Sequence, residues 1–396
     1  MRNDAVAPPR GLLGLRNRER PERQPYGAMA DAVNMDVTDT LTVERRDGFA
    51  LSMPFTAAVG GYATRDERRA WIIDDGDLLR LAQDLSTRFV ASGFPQGEYH
   101  WAEADDLVFF TGPRCGWLRG DALLPLRVPN PDSPGVSAIP GDLPAGQYQV
   151  ALTLTHEDSG VEGACSLEVP FELVAPGGLR ITVPALAIGH TGNLYLSSTN
   201  GEVLYAVRDG LTGGEVIEYR GPLLELARPL ETPQRNGDVL PDGVTVCEVH
   251  EGRLYVAQPQ ADETSVLWIS QPGWYHLFDL TEFELYPGRI TGLASTSAGL
   301  VVATTQEIGM LQDRARSRFT WYGTPEGSPL VKTPTGVVYA WTARGVIRLP
   351  EFAALTEAKV SLPPGERCLA AYVERRGREQ LIVCTDAAGW AANPYS

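Results

Sequence analysis

Val337–Leu349 reads VVYAWTARGVIRL. Three apolar residues lead into a polar turn that carries a glycine, and a second apolar run leads out. Two short β-rich runs joined by a tight turn are a hairpin. The same phrase recurs as Trp71–Leu81 (WIIDDGDLLRL), Leu107–Leu118 (LVFFTGPRCGWL), Leu254–Ile269 (LYVAQPQADETSVLWI), Leu300–Leu311 (LVVATTQEIGML) and Leu381–Ala391 (LIVCTDAAGWA). The starts, at 71, 107, 254, 300, 337 and 381, are separated by 36, 147, 46, 37 and 44 residues. Four of these five intervals fit the roughly 40–50 residues of one propeller blade. The reading is therefore an all-β chain: a β-propeller of about six blades. Residues 37–51 (VTDTLTVERRDGFAL) alternate and then turn at Asp47-Gly48, and are expected to supply the strand that closes the ring.

The long interval is too large for one blade and too long for structureless loop. Pro125–Pro144 is a proline-rich lead-in, and Gln147–Thr155 then alternates with Tyr148, Val150, Leu152 and Leu154 on one face. Leu167–Leu173, Leu179–Val183, Asn193–Ser197 and Glu202–Val207 read as further short strands, with an Asn200-Gly201 hairpin turn between the last two. This pattern, without a Cys…Trp…Cys signature, implies an inserted β-sandwich closer to fibronectin-III than to immunoglobulin domains. The expected organisation is an extended arm (1–36), a first propeller part (37–124), the sandwich (125–218) and a second propeller part (219–396). If the Leu194–Val207 hairpin belongs to the ring, there are seven blades. Leu78–Phe89 is the nearest approach to a helix, and Asp313–Arg318 reads as a charged loop.

The chain has 396 residues with 41 Gly, 30 Pro, 43% hydrophobic and 21% charged residues, a composition able to bury a core. No apolar run approaches a membrane span. The N-terminus has no apolar h-region, so the expected product is made in the cytoplasm. Five scattered cysteines without a C-x-x-C pair read as free thiols. The formal net charge of −16 opposes sequence-specific DNA binding. The first 25 residues are the exception, with six arginines against Asp4, Glu19 and Glu22. Arg10, Leu12, Leu13, Leu15, Arg16, Arg18, Arg20, Arg23, Met29 and Val33 make this arm a candidate docking interface.

No catalytic signature emerges. Nucleotide loops, nucleophile elbows and H-E-x-x-H are absent from the sequence. The five histidines (100, 156, 190, 250 and 276) stand far apart in sequence, with no second His or Cys at ligand spacing. Asp74, Asp75 and Asp77, and then Glu103, Asp105 and Asp106, sit where hairpin tips are expected, and turn chemistry explains them before catalysis or calcium does. Trp101, Trp117, Trp268, Trp274, Tyr275, Trp321, Tyr322, Trp341 and Trp390 are expected to fill the space between blades, with sugar stacking the alternative for exposed ones. The sequence calls for no cofactor, metal or catalytic residue.

Several stretches together resemble bacteriophage virion proteins of the neck and tail: the β-propeller tail-nozzle proteins (tail tubular protein B) and related hub or stopper components. Ala30-Asp31-Ala32-Val33-Asn34-Met35-Asp36, with Arg45-Arg46-Asp47-Gly48 behind it, resembles their opening. AGQYQVALTLTHEDSGVEGACS resembles their Y-x-x-x-x-T…G-x-E-S-x-x-S, carried here by Tyr148, Thr153, Gly160, Glu162 and Ser166. LYLSSTNGEVLYAV resembles their iYR-s-x-x-n-G, with Leu196 in the arginine position. The resemblance implies a non-enzymatic virion subunit. Copies would form a ring, by expectation a hexamer, around a DNA channel that does not bind DNA specifically, and join portal or adaptor to tail tip or fibre proteins. A carbohydrate- or receptor-binding propeller at the tail tip is the alternative, and a propeller hydrolase the third reading.

Overall fold

The computed structural model describes residues 14–18, 20–25, 27–29, 35–37, 43–45, 53–66, 68–221, 227–358, 360, 363–375 and 378–387. The chain forms two compact units, Ala57–Tyr286 and Met1–Thr56 with Pro287–Ser396. It is an all-β propeller chain whose repeating element is a four-stranded antiparallel meander.

In the first unit, blade one comprises Ala58–Ala63, Ala70–Asp74, Asp77–Leu81 and Thr87–Ser92. Blade two comprises His100–Ala104, Leu107–Thr111, Gly116–Arg119 and Ala122–Pro125. Blade three comprises Cys247–His250, Arg253–Pro259, Thr264–Gln271 and Trp274–Pro287. The LVFFT strand of blade two shows no alternation because both of its faces are covered. Val108 and Phe110 pack with Trp71, Ile73 and Leu78 of blade one, while Leu107 and Phe109 pack with Leu254, Val256 and Phe278 of blade three. A strand buried on both faces reads as a continuous apolar run.

In the second unit, blade four comprises Ile290–Thr296, Gly299–Thr304, Ile308–Gln312 and Ala315–Arg318. Blade five comprises Leu330–Lys332, Val338–Thr342, Gly345–Leu349 and Ala353–Ala354. Their facing strands share one core through Val301, Ala303, Ile308, Val338, Ala340 and Leu349. A sixth sheet joins Arg367–Arg375 to Arg378–Thr385, with Glu326–Ser328 parallel to the former. Leu381–Thr385 is thus the apolar half of the last hairpin phrase; residues 388–391 lie outside the described residues.

The turns carry a device repeated along the chain. Thr304 and Thr342 close the second strands of blades four and five, and both are fully buried. The Thr342 hydroxyl donates to Gly345 O (2.7 Å) and accepts from Arg344 N (3.1 Å). The Thr304 hydroxyl likewise donates to Glu307 O (3.2 Å) and accepts from the amides of Gln306 and Glu307. A buried hydroxyl is costly unless bonded, and here the turn itself satisfies it.

The insert follows blade two. Gly135–Leu143, Gly177–Thr182 and Val216–Tyr219 form one sheet. Gly146–His156 is central to the other, flanked by Glu162–Cys165, Val169–Leu173 and His190–Ser197, with Leu204–Leu211 beyond the last. The predicted face Tyr148, Val150, Leu152 and Leu154 is buried, and its first three residues pack with Leu179, Ile181, Leu194 and Leu196. The Leu194–Val207 hairpin lies in this sheet, paired to the Gly146–His156 strand. It is therefore part of the insert, which removes the seventh blade.

Several local expectations differ from the structure. The proline-rich lead-in contains the Gly135–Leu143 edge strand, whose register breaks between Ile139 and Leu143, where Pro140 sits. Edge positions and bulges are where a strand tolerates proline. Leu78–Phe89 is no helix but two strands joined by a turn with Leu85 at φ 66°. The charged loop at Asp313–Arg318 contains the outermost strand of blade four, exposed throughout. Residues 37–51 do not run as one strand, because Met35–Val37 pairs antiparallel with Val43–Arg45. Asp47-Gly48 lies outside the described residues, and among those described this hairpin pairs only with itself.

Candidate functional site

A dense polar constellation lies on the face of the insert opposite its core. Period two places Thr153 and Thr155 there from the central strand, and Asn193 and Tyr195 from its neighbour, with Thr153 opposite Asn193 and Ala151 opposite Tyr195. A register shift in the Glu162–Cys165 pairing brings Glu162 over them. Glu162 Oε1 accepts from Thr153 Oγ1 (2.5 Å), Asn193 Nδ2 (2.9 Å) and Tyr195 OH (2.7 Å), and Oε2 accepts from Arg228 Nη1 (2.8 Å). Arg228 also lies over the Tyr195 ring. Only 16% of the Glu162 side chain is exposed. Burial alone would raise its pKa, but the bonds from Thr153, Asn193, Tyr195 and Arg228 outweigh burial and hold it below the usual value. Burial and the Glu162 carboxylate together push the Tyr195 phenol far up. Both oxygens of this carboxylate are already occupied, so its chemistry is that of a clamp. The Glu162 carbonyl accepts from His276 Nε2 (2.9 Å), tying the clamp to blade three.

Other residues that carry the insert motifs fasten strands and turns elsewhere in the insert. Tyr148 OH donates to Pro144 O (2.8 Å), the contact of a tyrosine corner, and meets Thr199 Oγ1 at 2.7 Å. Ser166 Oγ accepts from Leu152 N (3.2 Å). Asn200, at φ 54°, accepts from Gln147 N (3.0 Å) and so fastens its hairpin turn to the central strand.

The predicted arm interface is only partly described. Arg10, Leu12, Leu13 and Val33 lie outside the described residues. The remainder folds back on itself: Gly14–Leu15 pairs in parallel with Ala28–Met29 around a 3-10 turn at Pro21–Arg23. Leu15, Arg16 and Met29 are half-buried, whereas Arg18, Arg20 and Arg23 are exposed.

Turn chemistry accounts for the aspartates at the first two hairpin tips. Asp74 pairs with Asp77 across Asp75 (φ 49°) and Gly76 (φ 84°), and its carboxylate accepts from Ala57 N (2.7 Å). Asp105 (φ 53°) makes the next tip. Glu103 is not in that turn: it lies on the His100–Ala104 strand, where it accepts from Tyr62 OH (2.8 Å) and Arg65 N (3.0 Å). Glu307, almost fully buried, is held by Arg316 and Arg318. Among the described residues no group of three or more His, Cys, Asp or Glu is arranged to hold a metal.

The histidines are less dispersed in space than in sequence. His156 and His190 stand directly opposite on adjacent strands, with ring centroids 5.2 Å apart. Burial lowers His276 and pushes His100 down to about 4. The cysteines are free thiols, and burial raises Cys247 to about 12. Trp117 and Trp341 fill blade cores, but Trp321 is 81% exposed with the Arg318 guanidinium against its ring. Trp390 lies outside the described residues. No described helix is long and apolar enough to cross a membrane.

No protein-family profile matches this chain, and no curated protein is similar to it in sequence. Among solved structures it is similar to an inactive virginiamycin B lyase of Staphylococcus aureus (12% identity, TM-score 0.31, 78% of this chain and 88% of that one). It is also similar to apo AztD of Citrobacter koseri (14%, 0.27, 77% and 87%) and to dipeptidyl peptidase 4 of Porphyromonas gingivalis (12%, 0.26, 85% and 41%). These likenesses are too distant to bear on function, and the fold rests on the blades themselves.

Proposed function

We propose that this chain is a structural subunit of a bacteriophage neck or tail, one copy of a ring around the DNA channel that joins the connector to the tail. One observation carries the reading. The two insert motifs behind the resemblance, Tyr148–Ser166 and Leu194–Val207, lie in one sheet and are joined through Glu162, which accepts from Thr153 of the first and Tyr195 of the second. Residues shared for architectural reasons behave this way, since each fastens a strand or turn. The surplus of carboxylates fits a wall past which DNA must slide without sticking. The basic arm before residue 37 would dock a neighbouring copy or an adaptor, and ring symmetry multiplies such weak contacts. Purified full-length protein is expected to show closed rings by negative-stain electron microscopy, six-membered by the resemblance, and deletion of residues 1–36 to leave monomers. A monomer at every concentration would overturn the ring, and intact rings after the deletion would overturn the docking arm.

Trp321 favours a second reading, a glycan- or receptor-binding surface at the tail tip. An indole 81% exposed offers a stacking face for a sugar. This reading expects saturable quenching of tryptophan fluorescence by a member of a glycan panel, lost in Trp321→Ala. No response across the panel would remove it.

A further inference from the structure

His156 and His190 have no part in the clamp or in any core. They end neighbouring strands at one tip of the insert, directly opposite in register. His190 Nδ1 lies 2.9 Å from Ile188 O. A carbonyl only accepts, so Nδ1 carries the proton and Nε2 keeps its lone pair. That Nε2 is shielded from solvent and has no hydrogen-bond partner. His156 Nδ1 in turn meets Ser159 Oγ at 3.0 Å. An imidazole whose Nδ1–H is fixed on a carbonyl, as that of His190 is, is the arrangement found around metal-ligating histidines.

The spacing agrees. Two imidazoles on one tetrahedral ion, at bonds of about 2.0–2.1 Å, have ring centroids about 5 Å apart. The two rings here are 5.2 Å apart and nearly perpendicular. Rings packed edge to face can hold one another in this way; what sets this pair apart is the unpartnered His190 Nε2, the atom that would bind.

We propose that His156 and His190 form a two-histidine site for a borderline transition-metal dication, zinc in the first instance, with the remaining positions taken by water. Imidazole nitrogen suits Zn, Cu and Ni and does not suit Ca or Mg. With only two protein ligands the ion is exchangeable, unlike a closed structural zinc. The site lies on the insert and is independent of the role proposed for the whole chain.

Untagged full-length protein titrated with zinc chloride by calorimetry is expected to show one saturable micromolar site. His156→Gln and His190→Gln should each weaken it at least tenfold, with calcium giving no such site. Equal heats from wild type and the double variant would overturn the proposal, since zinc would then be binding surface carboxylates. A measurement on the wild type alone covers variants that fail to fold. Bound copper(II) should show nitrogen hyperfine splitting from two imidazoles, and an all-oxygen spectrum would overturn the site.

Discussion

Replacing Glu162 with alanine is expected to destabilise the protein by about 4 kcal/mol, within the range for breaking a buried, bonded charge. The loss comes from what the carboxylate leaves behind. Thr153 and Tyr195 are fully buried and Asn193 nearly so, and three donors lose their common acceptor. Each buried polar group left unmade costs on the order of 1–3 kcal/mol. Arg228 contributes less, because at 46% exposure it can return to water. Glu162→Gln keeps an acceptor of the same shape and should cost about 1–2 kcal/mol, the share that charge adds to such bonds. By thermal denaturation the alanine variant should melt at least ~8 °C lower, taking a few degrees per kcal/mol. A fall under ~2 °C, or equal falls for Ala and Gln, would show that the cluster is not a clamp.

The clamp has a pH signature of defined sign. The folded-state pKa of Glu162 lies below the ordinary 4.5. The unfolded chain therefore takes up the proton first as pH falls. The stability due to the ionised form is fully present above about 4.5 and is lost as pH drops through the lower folded value. The gap between wild type and Glu162→Gln should therefore be constant from neutral pH to about 5 and narrow below 4.5. A gap that widens in acid would contradict the assignment.

What could be read from the chain beforehand follows burial. The apolar hairpins were legible because strands such as Leu107–Thr111 and Gly299–Thr304 are buried along their whole length. The outer strand of each blade was not. Ala315–Arg318 is exposed at every position, so nothing in DRARSR distinguishes an edge strand from a loop. The arrangement of Glu162 was half legible. T-L-T and N-L-Y alternate polar residues with buried leucines, which marks a polar second face, but only the register says that 153 and 193 meet. The same holds for His156 and His190, 34 positions apart in the chain and adjacent in space. A threonine closes the apolar run in four of the six repeats, at 111, 304, 342 and 385. It acquires a reason once Thr304 and Thr342 are seen to satisfy their own turns.

The other large effect is expected at Gly323. Its backbone runs so close to the turn of blade four that an added Cβ would lie 2.1 Å from Thr304 O and 2.2 Å from Thr305 C. These are backbone atoms of a turn fixed by the Thr304 hydroxyl and by the bond from Thr324 N to Thr304 O (2.9 Å), so they cannot rotate away as a side chain could. Gly323→Ala should therefore cost about 3 kcal/mol or more, the upper end of overpacking effects. Gly336 supplies the control. It sits at φ 84° in a hairpin turn, and a methyl group there would meet nothing within 4 Å, so alanine faces conformational strain alone. That strain costs about 1–2 kcal/mol. Chemical denaturation should rank Gly323→Ala well below Gly336→Ala in stability. Because Trp321 is two residues away, only the former should also change the tryptophan emission of the folded protein. Equal losses and unchanged emission in both would mean that the turn yields, and that the close approach at Gly323 is not what fixes the chain after blade four.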